Sequence, residues 1–325
     1  MIDKKNMRGK DENNGKKDQK YTRVEEVRPG IYAYIQEDGG WFLDNAGFIV
    51  GEDDTIVIDS LSNAIKTNNF INEIKKITDN PFSFLINTHH HTDHTWTNYL
   101  FSSKTICSER CREETLKEKD VGFNIYKKIF QGLDTTGAKI LPQDITFDKE
   151  LSIYQEISNG TREIRLRYIG PAHTVDDAFI YLPEEKVVFC GDLLFSKPCT
   201  PFALMGSIYG SIVALDYLAN LNSDFYIPGH GPVARKESLY RARDYFVYIR
   251  DEAYDRFKDG IDPYTAAKDI DLGEYSSWSE KERVIGNVVR AYSEFKGEPI
   301  GAELPDLFNV LARMMDYRKE IEYIK

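Results

Sequence analysis

No apolar run in this sequence approaches the roughly 20 residues that a membrane helix needs, so no spanning segment and no membrane partner are expected. The first 20 residues are charged and polar and lack the apolar centre of an export signal, which points to a cytoplasmic protein. Basic surface is scarce too. The formal net charge is −11, and residues 1–20 carry seven basic against four acidic side chains, leaving the rest of the chain near −14. Nucleic-acid binding rests on a basic footprint, so the expected partner is a small-molecule substrate and not a nucleic acid. The basic leader, residues 1–20, reads as a disordered polar tail. Cysteine is limited to Cys107, Cys111, Cys190 and Cys199. No second pair or nearby histidine completes a metal site at Cys107 and Cys111, so all four are expected to be reduced thiols. No serine or cysteine triad is visible.

What the chain does have is concentrated. It holds six histidines, and four of them fall in Thr88-His-His-His-Thr-Asp-His94. The other two lie in Pro171-Ala-His-Thr174 and Pro228-Gly-His-Gly-Pro232.

The elements around these motifs follow from apolar periodicity. Strands are expected at 30–36, 46–50 and 55–59, with a turn at 37–41 that ends on Trp41. A helix over 62–78, with Ile65, Phe70, Ile74 and Ile77 as its face, precedes a buried strand at 81–87 that delivers the chain into the histidine cluster. A short strand at 104–107 and a charged helix near 109–120 follow. Val121, Ile125, Ile129 and Leu133 then predict a helix over 121–133 that packs on the core in preference to forming a lid. Strands are expected at 145–154, 162–169, 177–182, 186–190 and 224–227, with a helix at 210–221. From Lys236 the chain turns helical, over 237–258, 279–296 and 305–322. Strands then helices, twice over, predict an α/β fold of two sheets flanked by helices.

Three histidines and an aspartate on one short loop do not fit comfortably around a single ion, but they can serve two. Neutral imidazole suits Zn or Fe, and carboxylate compensates charge. If His89 and His91 take one ion, Asp93 and His94 face the other, and His173 and His230 supply the missing partners. Asp192, in Phe189-Cys-Gly-Asp192, follows a strand and can bridge both ions. The sum is seven protein ligands, with His90 pointing away from the metals.

These motifs, in this order, resemble the metallo-β-lactamase superfamily: Thr88 to His94, Gly170-Pro-Ala-His-Thr174, Phe189-Cys-Gly-Asp192 and Pro228-Gly-His-Gly-Pro232, with Val57-Ile-Asp59 matching the family's early strand-ending aspartate. The resemblance covers about residues 21–235. It implies a four-layer αββα metallo-β-lactamase sandwich over 21–235, with residues 236–325 as a C-terminal helical extension. It implies that His89, His91 and His173 bind one ion, that Asp93, His94 and His230 bind the other, and that Asp192 bridges them. The stretch Gly191-Asp-Leu-Leu-Phe195 is similar to glyoxalase II-type thioesterases and to lactonases. Acyl-homoserine-lactone lactonases carry a tyrosine where this chain has Phe195. Ribonuclease-type relatives share the ligands, but the acidic body argues against an RNA partner.

The function this implies is a binuclear metal-dependent hydrolase in which a metal-bridging hydroxide cleaves an ester, thioester or lactone. The cofactors are two divalent ions, Zn2+ first, with Fe or Mn as alternatives. Asp93 is the candidate proton relay to the leaving group. Asp59 and Asp177 are candidates to hold imidazoles from behind. Trp41, Phe195, Phe202 and Met205, with Leu204, are expected to form an apolar substrate pocket. Three alternatives share the resemblance or the metal: a mononuclear iron persulfide dioxygenase-like enzyme, a β-lactam hydrolase, and a non-enzymatic metal-stabilised interaction module. The C-terminal helices are expected to close over the site or to form a homodimer interface.

Overall fold

The computed structural model describes residues 22–36 and 39–323. The expected tail at 1–20 and the first two residues of the 37–41 turn lie outside that range.

Twelve strands form two sheets among the described residues. The first runs β1 (Thr22–Arg28), β2 (Ile31–Gln36), β3 (Ala46–Val50), β4 (Thr55–Ile58), β5 (Phe82–Ile86), β6 (Lys104–Ser108) and β7 (Ile145–Phe147), in that order. The second runs β12 (Phe225–His230), β11 (Val187–Phe195), β10 (Ala178–Leu182), β9 (Gly160–Tyr168) and β8 (Glu150–Ile157). β4 to β7 pair in parallel, as do β11 and β12, while the other pairs are antiparallel.

Alternation along the strands explains the layers. Ile31, Ala33, Ile35, Ile49, Ile56, Ile58 and Ile86 face Ile164, Leu166, Ile180, Phe189 and Ile227 of the other sheet and form the inner core. The intervening residues Tyr34, Phe48, Val57 and Leu85 face outward. There they meet Phe70, Ile71 and Ile74 of α1 (Ala64–Lys75), whose start is capped by the Asn63 side chain. On the far side, Phe179, Val188, Cys190 and Tyr226 pack against the remaining helices. The result is the expected four-layer sandwich.

Several boundaries differ for physical reasons. Ile65 and Ile77 are 47% and 41% exposed, so the buried face of α1 is Thr67, Phe70, Ile71 and Ile74. The expected 145–154 strand is two, because the chain crosses between sheets at 148–149 and β7 and β8 join different ones. Gly122 (φ +72°) separates the two helices expected at 109–120 and 121–133, which run as α3 (Glu109–Val121) and α4 (Phe123–Ile129) after the single turn α2 (Thr92–Thr95), α4 ending short of the expected 133. β1 and the short helix α7 (Pro263–Asp269) carried too little periodicity to be expected.

The chain continues through α5 (Ile208–Ala219) and then α6 (Lys236–Lys258), α7, α8 (Arg283–Phe295) and α9 (Leu307–Tyr323). These C-terminal helices share one apolar cluster with β11 and α5, through Leu239, Tyr245, Ile249, Val284, Val288 and Met314. Among the described residues, no helix is long and apolar enough to cross a membrane.

Candidate metal centre

The site forms where parallel strands end, as is common in open α/β sheets. β5 leads through Asn87 and Thr88 into His89–His91, and α2 then carries Asp93 and His94. His173 lies on the loop between β9 and β10, and His230 ends β12. Asp192 sits inside β11, which runs on to Phe195 where a strand ending at Cys190 was expected. The misreading came from Gly191, a bulge with φ +52°. A Cβ there would fall 2.6 Å from the Thr88 side chain, so glycine is what lets the bulge close on the histidine loop. Gly229 is needed for a similar reason, because a Cβ would overlap Asp192 Oδ1.

All seven expected ligands converge. His89, His91, His173 and Asp192 form one group and Asp93, His94 and His230 a second, with the donor atoms of each within 4.8 Å of one another. Asp192 touches both. Its Oδ2 is 3.2 Å from His173 Nε2 and 3.4 Å from His230 Nε2, and its Oδ1 is 3.2 Å from His94 Nε2. His91 Nδ1 and His173 Nε2 approach to 2.9 Å, and His230 Nε2 lies 3.6 Å from Asp93 Oδ2.

The donor set fits divalent ions. His89 Nε2 is buried without a hydrogen-bond partner, a costly state that a metal relieves. Burial, then neighbouring imidazoles, holds the pKa of His89 and of His91 well below the usual histidine range. Burial also lowers His173. Neutral imidazole is the ligating form. Burial would raise Asp192, but His230, His94 and His173 outweigh it and hold the carboxylate well below its usual range.

The polar partners behind the donors are only partly those expected. Asp59, at φ +57°, accepts from Thr88 N and Thr88 Oγ1 and lies 2.9 Å from His94 Nδ1. Asp177 does not touch an imidazole. It accepts from Thr174 N and Thr174 Oγ1 and so braces the loop that carries His173. The Phe202 carbonyl takes the role expected of Asp177, lying 2.5 Å from His173 Nδ1. His90 turns away and pairs with Asp176, at 2.7 Å through Nδ1 and 2.8 Å through its backbone N–H. Burial alone would lower His90, but Asp176 overrides it and raises the pKa to about 9.

Sequence reasoning missed Asp44. It is fully buried with neither oxygen hydrogen-bonded, and its Oδ2 lies 3.9 Å from His94 Nδ1. Burial raises its pKa well above the carboxylate range against the pull of His94. A turn aspartate beside an asparagine gave no signal of this.

A cavity of about 60 Å³ opens over the ligands, and Trp41, Phe195, Phe202 and Met205 line it as expected. Leu204 does not; it is fully buried against Gly286. Tyr126 and Phe130, at α4 and its end, also line the cavity, and with Ile129 and Leu133 they join the apolar cluster, so the expected core packing holds while the same stretch walls the site. Arg283 and Leu311 of the C-terminal helices complete the wall. A larger cleft of about 820 Å³ shares Trp41, Phe42 and Phe130 with it.

The C-terminal helices also fix this wall. Trp41 donates through its backbone N–H to Glu280 (2.6 Å) and through Nε1 to Glu282 (2.8 Å). α8 reads the backbone of the loop after β11. Arg283 donates to Thr200 O, Asn287 binds Pro201 O and Ala203 N, Arg290 donates to Leu204 O, and Glu294 accepts from Ile208 N.

Residues 39–230, more than half of the chain, match the model of the metallo-beta-lactamase superfamily. The chain belongs to this superfamily. Its relatives in the superfamily include metallo-hydrolases, and its own His/Asp cluster is able to hold metal. The probable metallo-hydrolase MJ0888 of Methanocaldococcus jannaschii is 24% identical over 215 residues, 64% of this chain and 98% of that protein. Beta-lactamase-like protein 2 homolog of Caenorhabditis elegans is 33% identical over 66 residues, and the chain spans only 21% of its length. Among solved structures, the stereoselective inverting sec-alkylsulfatase Pisa1 from Pseudomonas sp. shares the fold at a TM-score of 0.65 and 15% identity, over 85% of this chain and 50% of that one. The superfamily match stops at His230, so Glu280, Glu282, Arg283 and Leu311 lie beyond it.

Proposed function

We propose that this superfamily member is a binuclear metal-dependent hydrolase that cleaves an ester, thioester or lactone bond in a small molecule with apolar flanks, in the manner of the glyoxalase II and lactonase branch. The observation that carries the reading is Asp192, whose two oxygens reach donors of both groups at 3.2 Å. His89, His91 and His173 would hold one ion, Asp93, His94 and His230 the other, and Asp192 both. Two divalent ions, Zn2+ before Fe or Mn, would polarise the scissile carbonyl and supply hydroxide near neutral pH.

The chain's own residues do the rest. Asp93 lines the cavity beside His230, where it can hand a proton to the departing oxygen or sulfur. Asp59 fixes the His94 tautomer, and the Phe202 carbonyl fixes that of His173. Trp41, Phe130, Phe195 and Phe202 exclude water and hold the apolar part of the substrate.

The test is elemental analysis of protein purified without chelator, followed by a panel of esters, thioesters, lactones, β-lactams and sulfate esters. The expected result is close to two divalent ions per chain and turnover of a carboxylic ester, thioester or lactone. One iron per chain with oxygen uptake would replace this reading with a dioxygenase.

A further inference from the structure

Helix α5 carries one charged residue in twelve, Asp216, whereas α6 beside it carries 11 in 23. One face of α5 holds Ile208, Ala214, Leu215 and Leu218 in the core. The opposite face is apolar as well. Tyr209 and Val213 are 56% and 48% exposed, and Tyr217 and Leu221, each four residues further on, are half-buried. Residues four apart lie along one side of a helix, so these four make a single stripe about 18 Å long. A helix that is apolar all round belongs inside a larger body, and aromatic side chains with few charges mark the centre of a protein contact. We propose that this stripe is the interface of a homodimer, in which α5 packs antiparallel on α5 of a second copy about a two-fold axis. The contact does not depend on which bond the metal centre cleaves.

Three observations select a second copy as the occupant. The first is shape. Tyr209 and Val213 project from the first half of α5, while at its end a groove of about 330 Å³ opens, lined by Leu151, Leu166, Phe179, Tyr181, Tyr217 and Leu221. Ridge and groove thus lie at opposite ends of one stripe. A two-fold axis reverses the stripe. It sets Tyr209 of each copy opposite Leu221 of the other, and Val213 opposite Tyr217, as a self-complementary contact requires. The second is charge. The chain as a whole is at −11, so two copies repel. The border of the stripe is balanced: Glu150 pairs with Arg167 at 3.2 Å, Glu163 with Arg165 at 2.8 Å and Asp216 with Arg243 at 2.9 Å. Such a border meets its own copy without net repulsion. The third is what else could cover the stripe. Residues 1–20 offer three apolar side chains, Met1, Ile2 and Met7, too few to fill both stripe and groove. A bilayer surface calls for an excess of Lys and Arg around the apolar face, whereas this border holds as many acids as bases. The C-terminal helices bury Leu239, Tyr245, Val284 and Met314 in the core, which leaves the contact to α5.

The test is the solution mass of the full chain, by sedimentation equilibrium from about 1 to 100 µM. Wild type is expected at twice the chain mass of 37.5 kDa, with a dissociation constant of about 1 µM or below. Val213→Glu and Tyr209→Lys each bury a charge at the contact and leave the core alone. Thermal melts and metal content check that both fold as wild type does. Each should weaken the dimer about 100-fold or more and give the single-chain mass over most of that range. Tyr254→Glu, at a similarly exposed site on α6, should leave the dimer intact. The register is tested by mixing Tyr209→Cys chains with Leu221→Cys chains and adding a short bismaleimide. The four native cysteines are buried, so cross-linked dimers should form in the mixture and not with either variant alone.

A wild type that is monomeric throughout overturns the inference, and its binding to anionic phospholipid vesicles, lost in Val213→Glu, would assign the stripe to a bilayer instead. A dimer that survives both α5 variants, or that only Tyr254→Glu dissociates, overturns it too. Cross-linking by either cysteine variant alone overturns the antiparallel register.

Discussion

Three imidazoles converge on Asp192, and its charge is what makes their proximity tolerable. His230, His94 and His173 hold it ionised in a fully buried position. Asp192→Asn keeps the shape but removes the anion that would serve both ions. Metal content by elemental analysis should fall from about two per chain to about one or less, and hydrolysis should fall with it. An Asn variant that kept both ions would refute the bridging role. Asp59 acts one step back, through His94. Asp59→Asn should weaken metal affinity about 10–100-fold, as loss of such partners does, which chelator competition measures. Glu118 offers a prediction with a sign. Burial raises its pKa from 4.5 to about 7, with His90 pulling the other way. Below pH 4.5 the group is protonated in folded and unfolded chains alike. Between pH 4.5 and about 7 the unfolded chain has released the proton while the folded chain still holds it, so stability falls across that window, by about 3 kcal/mol in full once the folded group has also ionised above 7. Glu118→Gln removes that loss. Denaturant melts should show little difference from wild type near pH 5 and a gain for the variant near pH 8. An equal gain at both pH values would mean that packing, not ionisation, is the cause.

Arg283, Asn287, Arg290 and Glu294 follow a spacing of 4, 3 and 4, so they share one face of α8. That face is buried and polar, and it satisfies the backbone of the loop that presents Phe202 and Met205 to the cavity. Asn287→Ala deletes bonds to Pro201 O, Ala203 N and Tyr245 Oη. It should cost about 2–4 kcal/mol, since it strands buried backbone groups, and should raise KM because the loop carries part of the pocket. A variant with an unchanged melting temperature would remove α8 from this role. The apolar spacing of Val284, Val288, Tyr292 and Phe295 predicts a helix, but it does not say what the polar positions between them meet. Their partners are carbonyls about 85 residues away in sequence, and no local pattern encodes them. The metal ligands were legible for the opposite reason. Four histidines in six residues, after an apolar strand, are a local signal, and His173 after Gly170-Pro-Ala172 and His230 between two glycines add to it. Asp177 misled because its carboxylate, close to His173 in sequence, braces the backbone of that loop instead of its ring. Tyr126 and Phe130 pack on the core as the spacing of their helix predicts, but the same two rings also line the cavity, which no local pattern encodes.

The whole molecule argues against a catalytic body with a detachable tail. The superfamily match ends at His230, and a division at residue 235 follows the motifs. The packing does not follow that division. Phe195, Phe202, Leu204, Leu215 and Leu218 share one buried cluster with Leu239, Tyr245, Ile249, Val288 and Met314 from beyond it. Glu280 and Glu282 anchor both polar atoms of Trp41, and Arg283 and Leu311 form part of the cavity wall. Truncation after residue 235 would therefore bare an apolar face larger than soluble monomers tolerate and would open the site to water. The truncated chain is expected to accumulate in the insoluble fraction, while the full chain is recovered soluble. Adding residues 236–325 as a separate chain during refolding should restore soluble, metal-binding protein, because the cluster that joins them is a core and not a hinge. A truncated chain that is soluble, binds two ions and keeps its substrate preference would show that residues 236–325 are a passenger. It would also show that the wall formed by Arg283 and Leu311 is dispensable, so this one measurement bears on the fold and the chemistry together.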